Sequence, residues 1–91
     1  MITDADFDIS TDPNKFDAFV CMKSLTLTLP RAAIAKLGRV YVIRAVEGDL
    51  RVRAQPNEAI DGNPTMVVVS GQARTILSNG KISWLQIADH N

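Results

Sequence analysis

The sequence predicts an all-β fold, a small antiparallel β-sandwich or barrel of about seven strands behind an extended N-terminal arm. Three observations predict it. Short apolar runs recur every eight to twelve residues or so with turn signals between them, the pattern of a sandwich or barrel. Leu25-Thr26-Leu27-Thr28-Leu29 alternates strictly, as a strand with one buried face does. Only residues 31–37 read as helix, and about two turns cannot stand alone.

Residues 1–15 are rich in Asp, Thr and Ser, lack apolar periodicity and carry the turn signal Asp12-Pro13-Asn14. They form the expected arm, and residues 16–91 the sandwich domain. Phe16 to Lys23 alternates as a strand, and Lys23-Ser24 is a tight connection into the leucine–threonine strand. Pro30 ends that strand, having no N–H for a ladder. Arg31 to Leu37 makes a short helix or loop closed by Gly38. Arg39 to Val46 is a strand, Glu47-Gly48 a hairpin turn, and Asp49 to Ala54 its partner, with Leu50, Val52 and Ala54 inward. Gln55 to Pro64 is a loop interrupted by Ile60. Thr65 to Ser70 and Gln72 to Ser78 are strands separated by Gly71. Asn79-Gly80 marks a type I′ hairpin into Lys81 to Ala88.

The composition allows one domain, 46% apolar and therefore able to fold. Ten basic and ten acidic residues balance, so nothing global draws the chain to nucleic acid or an anionic membrane. Their distribution is uneven: residues 1–17 hold five aspartates against Lys15, a net −4, leaving nine basic and five acidic residues, a net +4, in the rest. An acidic arm that docks on a basic surface is one reading of this asymmetry. Cys21 is the only cysteine, which excludes an internal disulfide and a multi-thiolate zinc site. The acidic start has no signal-peptide pattern and no run reaches the roughly 18 apolar residues of a span. Folding in a reducing cytoplasm is expected.

Three strands carry apolar residues on both faces: Val40-Tyr41-Val42-Ile43, Met66-Val67-Val68-Val69 and Ile82-Ser83-Trp84-Leu85-Gln86-Ile87. A chain of 91 residues is too small to bury both faces of several strands alone. The second face is therefore expected to pack on other copies of the chain or on a larger partner.

No catalytic constellation assembles. His90 is the only histidine and lies beside the C-terminus, a poor place for a dyad. Cys21, on a strand, reads as a small buried hydrophobe. Asp4-x-Asp6-x-Asp8 has the opening rhythm of a calcium loop, but Ile9 and Lys15 stand where the glycine and distal acid belong. No metal or cofactor is expected. Arg44, Arg51 and Arg53 suggest a basic stripe on one hairpin, without the interleaved aromatics of a nucleic-acid surface. Trp84, amid Ile82, Leu85 and Ile87, reads as core rather than as a sugar platform.

The order of elements resembles the small trimeric β-modules of tailed-bacteriophage structural proteins, over roughly residues 18–87. The resemblance rests on Leu25-Thr26-Leu27-Thr28-Leu29-Pro30, Gly38-Arg39-Val40-Tyr41-Val42-Ile43, Ala59-Ile60-Asp61-Gly62, and Ser78-Asn79-Gly80 followed by Trp84. In fibre proteins the module ends a much longer chain, and the segment after the Leu-Pro strand is richer in Ser and Gly than Arg31 to Leu37. A module that is nearly the whole chain is more similar to a capsid decoration (cement) protein or short head fibre. The resemblance implies a non-enzymatic homotrimer on the capsid surface of a virion, made in the host cytoplasm, with the major capsid protein as partner and neither nucleic acid nor membrane bound. Tyr41, Ile43, Val67, Val69 and Trp84 are the expected trimer-interface residues. Asp4, Asp6, Asp8 and Asp12 on the arm are the expected capsid-binding residues, with the loops 31–38 and 55–64 beside them. The alternative is a tail-fibre or tail component that recognises a host-surface glycan or joins tail parts. A fold does not settle between them.

Overall fold

In a computed structural model the described residues are 1–90, less the side chains of Asp89 and His90. The expectation about His90 thus lies outside the described residues.

The fold is all-β, built from two sheets that share one hydrophobic core. The larger contains β1 (Ile2–Thr3), β3 (Ala18–Cys21), β5 (Val40–Ala45), β7 (Ala59–Ile60), β9 (Ala73–Ser78) and β10 (Ser83–His90), in the order β1-β3-β5-β9-β10-β7. The smaller contains β2 (Phe7–Asp8), β4 (Thr26–Thr28), β6 (Leu50–Arg53) and β8 (Thr65–Val68), in the order β2-β4-β6-β8. The chain alternates between sheets from β1 to β6, so that β1, β3 and β5 stack in parallel on one side and β2, β4 and β6 on the other. This is solenoid-like coiling. It ends when β8 and β9 pair antiparallel with β6 and β5, and β10 folds back on β9.

Three expectations are corrected here. Residues 1–15 are not an arm but the first coil. Ile2–Thr3 pairs with Val20–Cys21, Phe7–Asp8 pairs with Leu27–Thr28, and Ile9 is buried between the sheets. Strands of two residues are too short for alternation to register, which is why the segment reads as irregular. Second, the turns at 22–25 and 46–49 do not make hairpins. Each carries the chain from one sheet to the other, so neighbours in sequence are not neighbours in a ladder. Alternation fixes which face of a strand is buried and says nothing about which sheet holds it. Third, Asn79 is not among the residues with positive φ, so the β9–β10 turn is not type I′. The Asn79 side-chain oxygen instead accepts from the N–H groups of Lys81 and Ser83, an Asx turn, with Gly80 taking φ 75°.

The inward positions form one core. Leu25, Leu27 and Leu29, with Leu50, Val52 and Val68, line the smaller sheet. Phe19, Cys21, Tyr41, Ile43, Ile76 and Trp84 line the larger. A run of aromatic rings crosses the centre, with centroids 6.1 Å apart for Phe7–Phe19, 5.6 Å for Phe19–Tyr41 and 5.3 Å for the stacked pair Tyr41–Trp84. The short helix α1 (Ala32–Ala35) closes one end by burying Ala32 and Ala35. Buried Glu58 accepts from the Ala32 N–H at 2.8 Å and pairs with Arg31 at 3.2 Å, and Ser78 Oγ donates to the Ala32 carbonyl.

Candidate assembly surfaces

With the inner residues joined in one core, the two outer faces and the strand ends are the surfaces left to solvent. The outer faces differ sharply. On the larger sheet three cross-strand rows face outward: Val40–Leu77–Leu85, Ala18–Val42–Thr75–Ala88, and Ile2–Val20–Arg44. Val42, Leu85 and Ile87 are large apolar side chains left exposed, and Ile87 sits at the β-bulge between Gln86 and Ala88. One charge, Arg44, stands in these rows, without a hydrogen-bond or ion-pair partner among the described residues. On the smaller sheet the outward residues are Thr26, Arg51 and Val67 in one row, and Asp8, Thr28, Arg53 and Thr65 in the next. Arg53 donates to Thr28 Oγ1 at 3.3 Å, and Asp6 accepts from the Thr26 N–H at 2.8 Å. The smaller sheet thus presents a mostly polar surface, broken by exposed Val67, and the larger a mostly apolar surface of the kind that marks an interaction site.

The expected interface residues are not brought together. Tyr41, Ile43 and Trp84 are each 0% exposed, inside the chain's own core. They cannot contact a second subunit without unfolding the first. Val67 is exposed on the outer face of the smaller sheet and Val69 just beyond β8, away from the apolar rows. The correction has a simple physical form: Val40, Val42 and Leu85 flank the chosen residues, and a shift of one position along a strand exchanges its faces. The missed signal was present in the sequence, because a strand apolar on both faces leaves open which set turns inward.

The four aspartates expected on a free arm are exposed but fixed on the first coil. Asp8 accepts from the N–H and hydroxyl of Ser10, and Asp6 holds β4. Arg44, Arg51 and Arg53 do not form one stripe, since Arg44 lies on the larger sheet and the other two on the smaller. Cys21 is buried, and burial pushes its thiol up to about 11, with only a small opposing influence from the N-terminal ammonium. The buried thiol is therefore protonated at neutral pH. Among the described residues no group of three or more His, Cys, Asp or Glu side chains converges. A shallow groove of about 340 Å³ on the smaller sheet is lined by Asp6, Phe7, Asp8, Thr26, Thr28 and Arg53.

Compared with protein-family models, with curated proteins and with solved structures, the chain matches none of them.

Proposed function

We propose that the chain is a non-enzymatic structural module that assembles with copies of itself through the outer face of its larger sheet. The observation that carries this reading is the contrast between the two outer faces, apolar rows on one and, on the other, Asp, Thr and Arg with Val67 as the one large apolar residue in the rows. Each half-exposed Val, Leu or Ile that becomes covered contributes roughly half of the ~1.5–3 kcal/mol of full burial, about 1 kcal/mol. Several per subunit add a few kcal/mol, an appreciable fraction of the ~5–15 kcal/mol net stability of a small domain.

The setting we infer is a tailed-bacteriophage virion. The module there is a homotrimeric decoration (cement) protein on the outer capsid surface, with the major capsid protein as its partner. Two facing sheets suit a sandwich-like module of this kind, and the order of the sequence elements resembles such trimers. In a cyclic trimer each apolar face meets a neighbouring copy, and the symmetry fits a three-fold position on a shell. A protein that binds only the assembled shell stabilises it by mass action.

Sedimentation of the purified chain tests the assembly claim: a trimer at micromolar concentration is expected, and a monomer there would refute it. Copy number in the parent particle tests the setting, since decoration calls for hundreds of copies and a tail position for a handful. The tail reading, with recognition of a host-surface glycan, is favoured by one observation, the groove beside Arg53 and Asp8. Titration of neutral and acidic oligosaccharides against wild-type chain and Arg53→Ala would reveal it.

A further inference from the structure

The pole formed by α1, the segment after it and the β9–β10 turn combines three unusual features. Leu37 is 77% exposed, and Ile34 and Ile82 are each 62% exposed. The two loops adjoin, because Leu37 packs on Gly80 so closely that an added Cβ there would lie 2.9 Å from the Leu37 Cβ. Lys36, between Ile34 and Leu37, adopts φ 77° and ψ 160°, a region essentially reserved for glycine. A strained lysine thus turns the chain so that a leucine stands almost wholly in water.

Charge adds direction. Lys36 and Lys81 have no ion-pair partner among the described residues. The nearby acids Glu58 and Asp17 are engaged by Arg31 and Arg39, and the Asp61 carboxylate accepts from the Gln86 N–H further along β10. At the opposite strand ends the turn after β5 carries Glu47 and Asp49, with Asp4 and Lys23 together beside β1 and β3. The pole where the aliphatic side chains project thus carries two cations, Lys36 and Lys81, without an ion-pair partner among the described residues.

We propose that this pole docks on an anionic lipid surface, with Ile34, Leu37 and Ile82 entering the headgroup boundary and Lys36 and Lys81 facing acidic headgroups. A protruding aliphatic knob needs no shaped receptor in a bilayer, whereas the flat outer face of the larger sheet suits another protein copy. The inference stands apart from the assembly reading and uses different residues.

Co-sedimentation with phosphatidylcholine vesicles, with and without phosphatidylglycerol, tests it. Binding is expected only to the anionic vesicles. Lys36→Ala/Lys81→Ala lowers it roughly thirtyfold, as two cationic side chains at a lipid surface should. Leu37→Asp abolishes it while leaving the unfolding midpoint in place, because only the Leu37 backbone and Cβ meet Gly80 and the rest of the side chain stands in water. Lys36→Gly raises the midpoint by removing the strain and weakens binding by removing the charge. Val42→Lys leaves vesicle binding intact even where it disperses the assembly, so failure of one reading is distinguishable from failure of the other. Equal binding to neutral vesicles, no binding by the wild-type chain, or insensitivity to Leu37→Asp would overturn the proposal. So would loss of self-association in Leu37→Asp without a vesicle effect, which would make a second copy the occupant.

Discussion

The Tyr41 hydroxyl donates to the main-chain carbonyl of Pro13, joining the third coil of the fold to the loop that closes the first. Arg39 reaches the same carbonyl through Nε at 3.2 Å, and its guanidinium lies 4.7 Å from the Tyr41 ring centroid. Arg39 also pairs with Asp17 and donates to the Phe16 carbonyl. Burial alone lowers the Arg39 pKa, but its hydrogen bond to Asp17 and its place beside Tyr41 outweigh that and hold the guanidinium above its ordinary value. Tyr41→Phe should therefore cost only about 1 kcal/mol, because the Pro13 carbonyl keeps a donor. Tyr41→Ala should cost about 3–5 kcal/mol by opening a cavity against Phe19 and Trp84. Urea unfolding measures both, and neither should alter the subunit count of the fraction that remains folded.

Val42 and Ile43 are adjacent in β5 and face opposite ways, which separates assembly from folding. Val42→Lys and Leu85→Lys place ammonium groups in the outward rows, where a free subunit leaves them in water. These variants should fold with stability within about 1 kcal/mol of wild type, yet sediment as monomers. Ile43→Lys buries an unpaired charge at a position 0% exposed, which costs several kcal/mol or forces the lysine to neutralise. It should fail to fold. A Val42→Lys chain that still forms the wild-type oligomer would exclude this face as the interface.

The same pair of residues explains what was legible in the sequence. The inward leucines of β4 and the inward set of β6 were readable because their outward neighbours, Thr26 and Thr28 or Arg51 and Arg53, are polar. In β5 and β10 both sets are apolar, so composition announced a surplus of apolar surface without telling which half was surplus. Trp84 and Tyr41 went inward because the centre between the sheets accommodates stacked rings, a tertiary fact that no local period encodes. The first coil was hidden for another reason: its contribution rests on single buried anchors, above all Ile9, rather than on a repeating pattern. Parallel stacking was equally silent, since a turn that steps between sheets uses the same residues as one that closes a hairpin.

Alkaline pH should destabilise the fold through Cys21. Its thiol is held at about 11 in the folded chain against 9.0 for the ordinary group, so the folded state favours the protonated form. A raised acid pKa gives stability that is complete below the unfolded value and lost as the pH rises through the folded one. The decline should run from pH 9.0 to about 11 and amount to ~2–3 kcal/mol. Tyr41, raised chiefly by burial and partly restored by Arg39, extends the decline in the same direction. Cys21→Ala removes the titrating thiol, and its unfolding free energy should fall less over that window. A parallel decline in wild type and Cys21→Ala would assign the effect elsewhere.

Glu58 and Arg31 form an ion pair whose two halves should not be equal on mutation. The Arg31 side chain is half in water, whereas Glu58 is buried and its second oxygen accepts the Ala32 N–H at the start of α1. Arg31→Ala gives up a solvent-screened attraction and should cost about 1 kcal/mol or less. Glu58→Ala leaves a buried backbone N–H without its acceptor, and about 2–3 kcal/mol is expected. Glu58→Gln keeps an oxygen for Ala32 and should fall between them. Hydrogen exchange at the Ala32 amide provides the local readout: protection should drop sharply in Glu58→Ala, partly in Glu58→Gln and least in Arg31→Ala. If Arg31→Ala proved the most damaging of the three, charge pairing rather than the buried hydrogen bond would be what anchors this end of the fold.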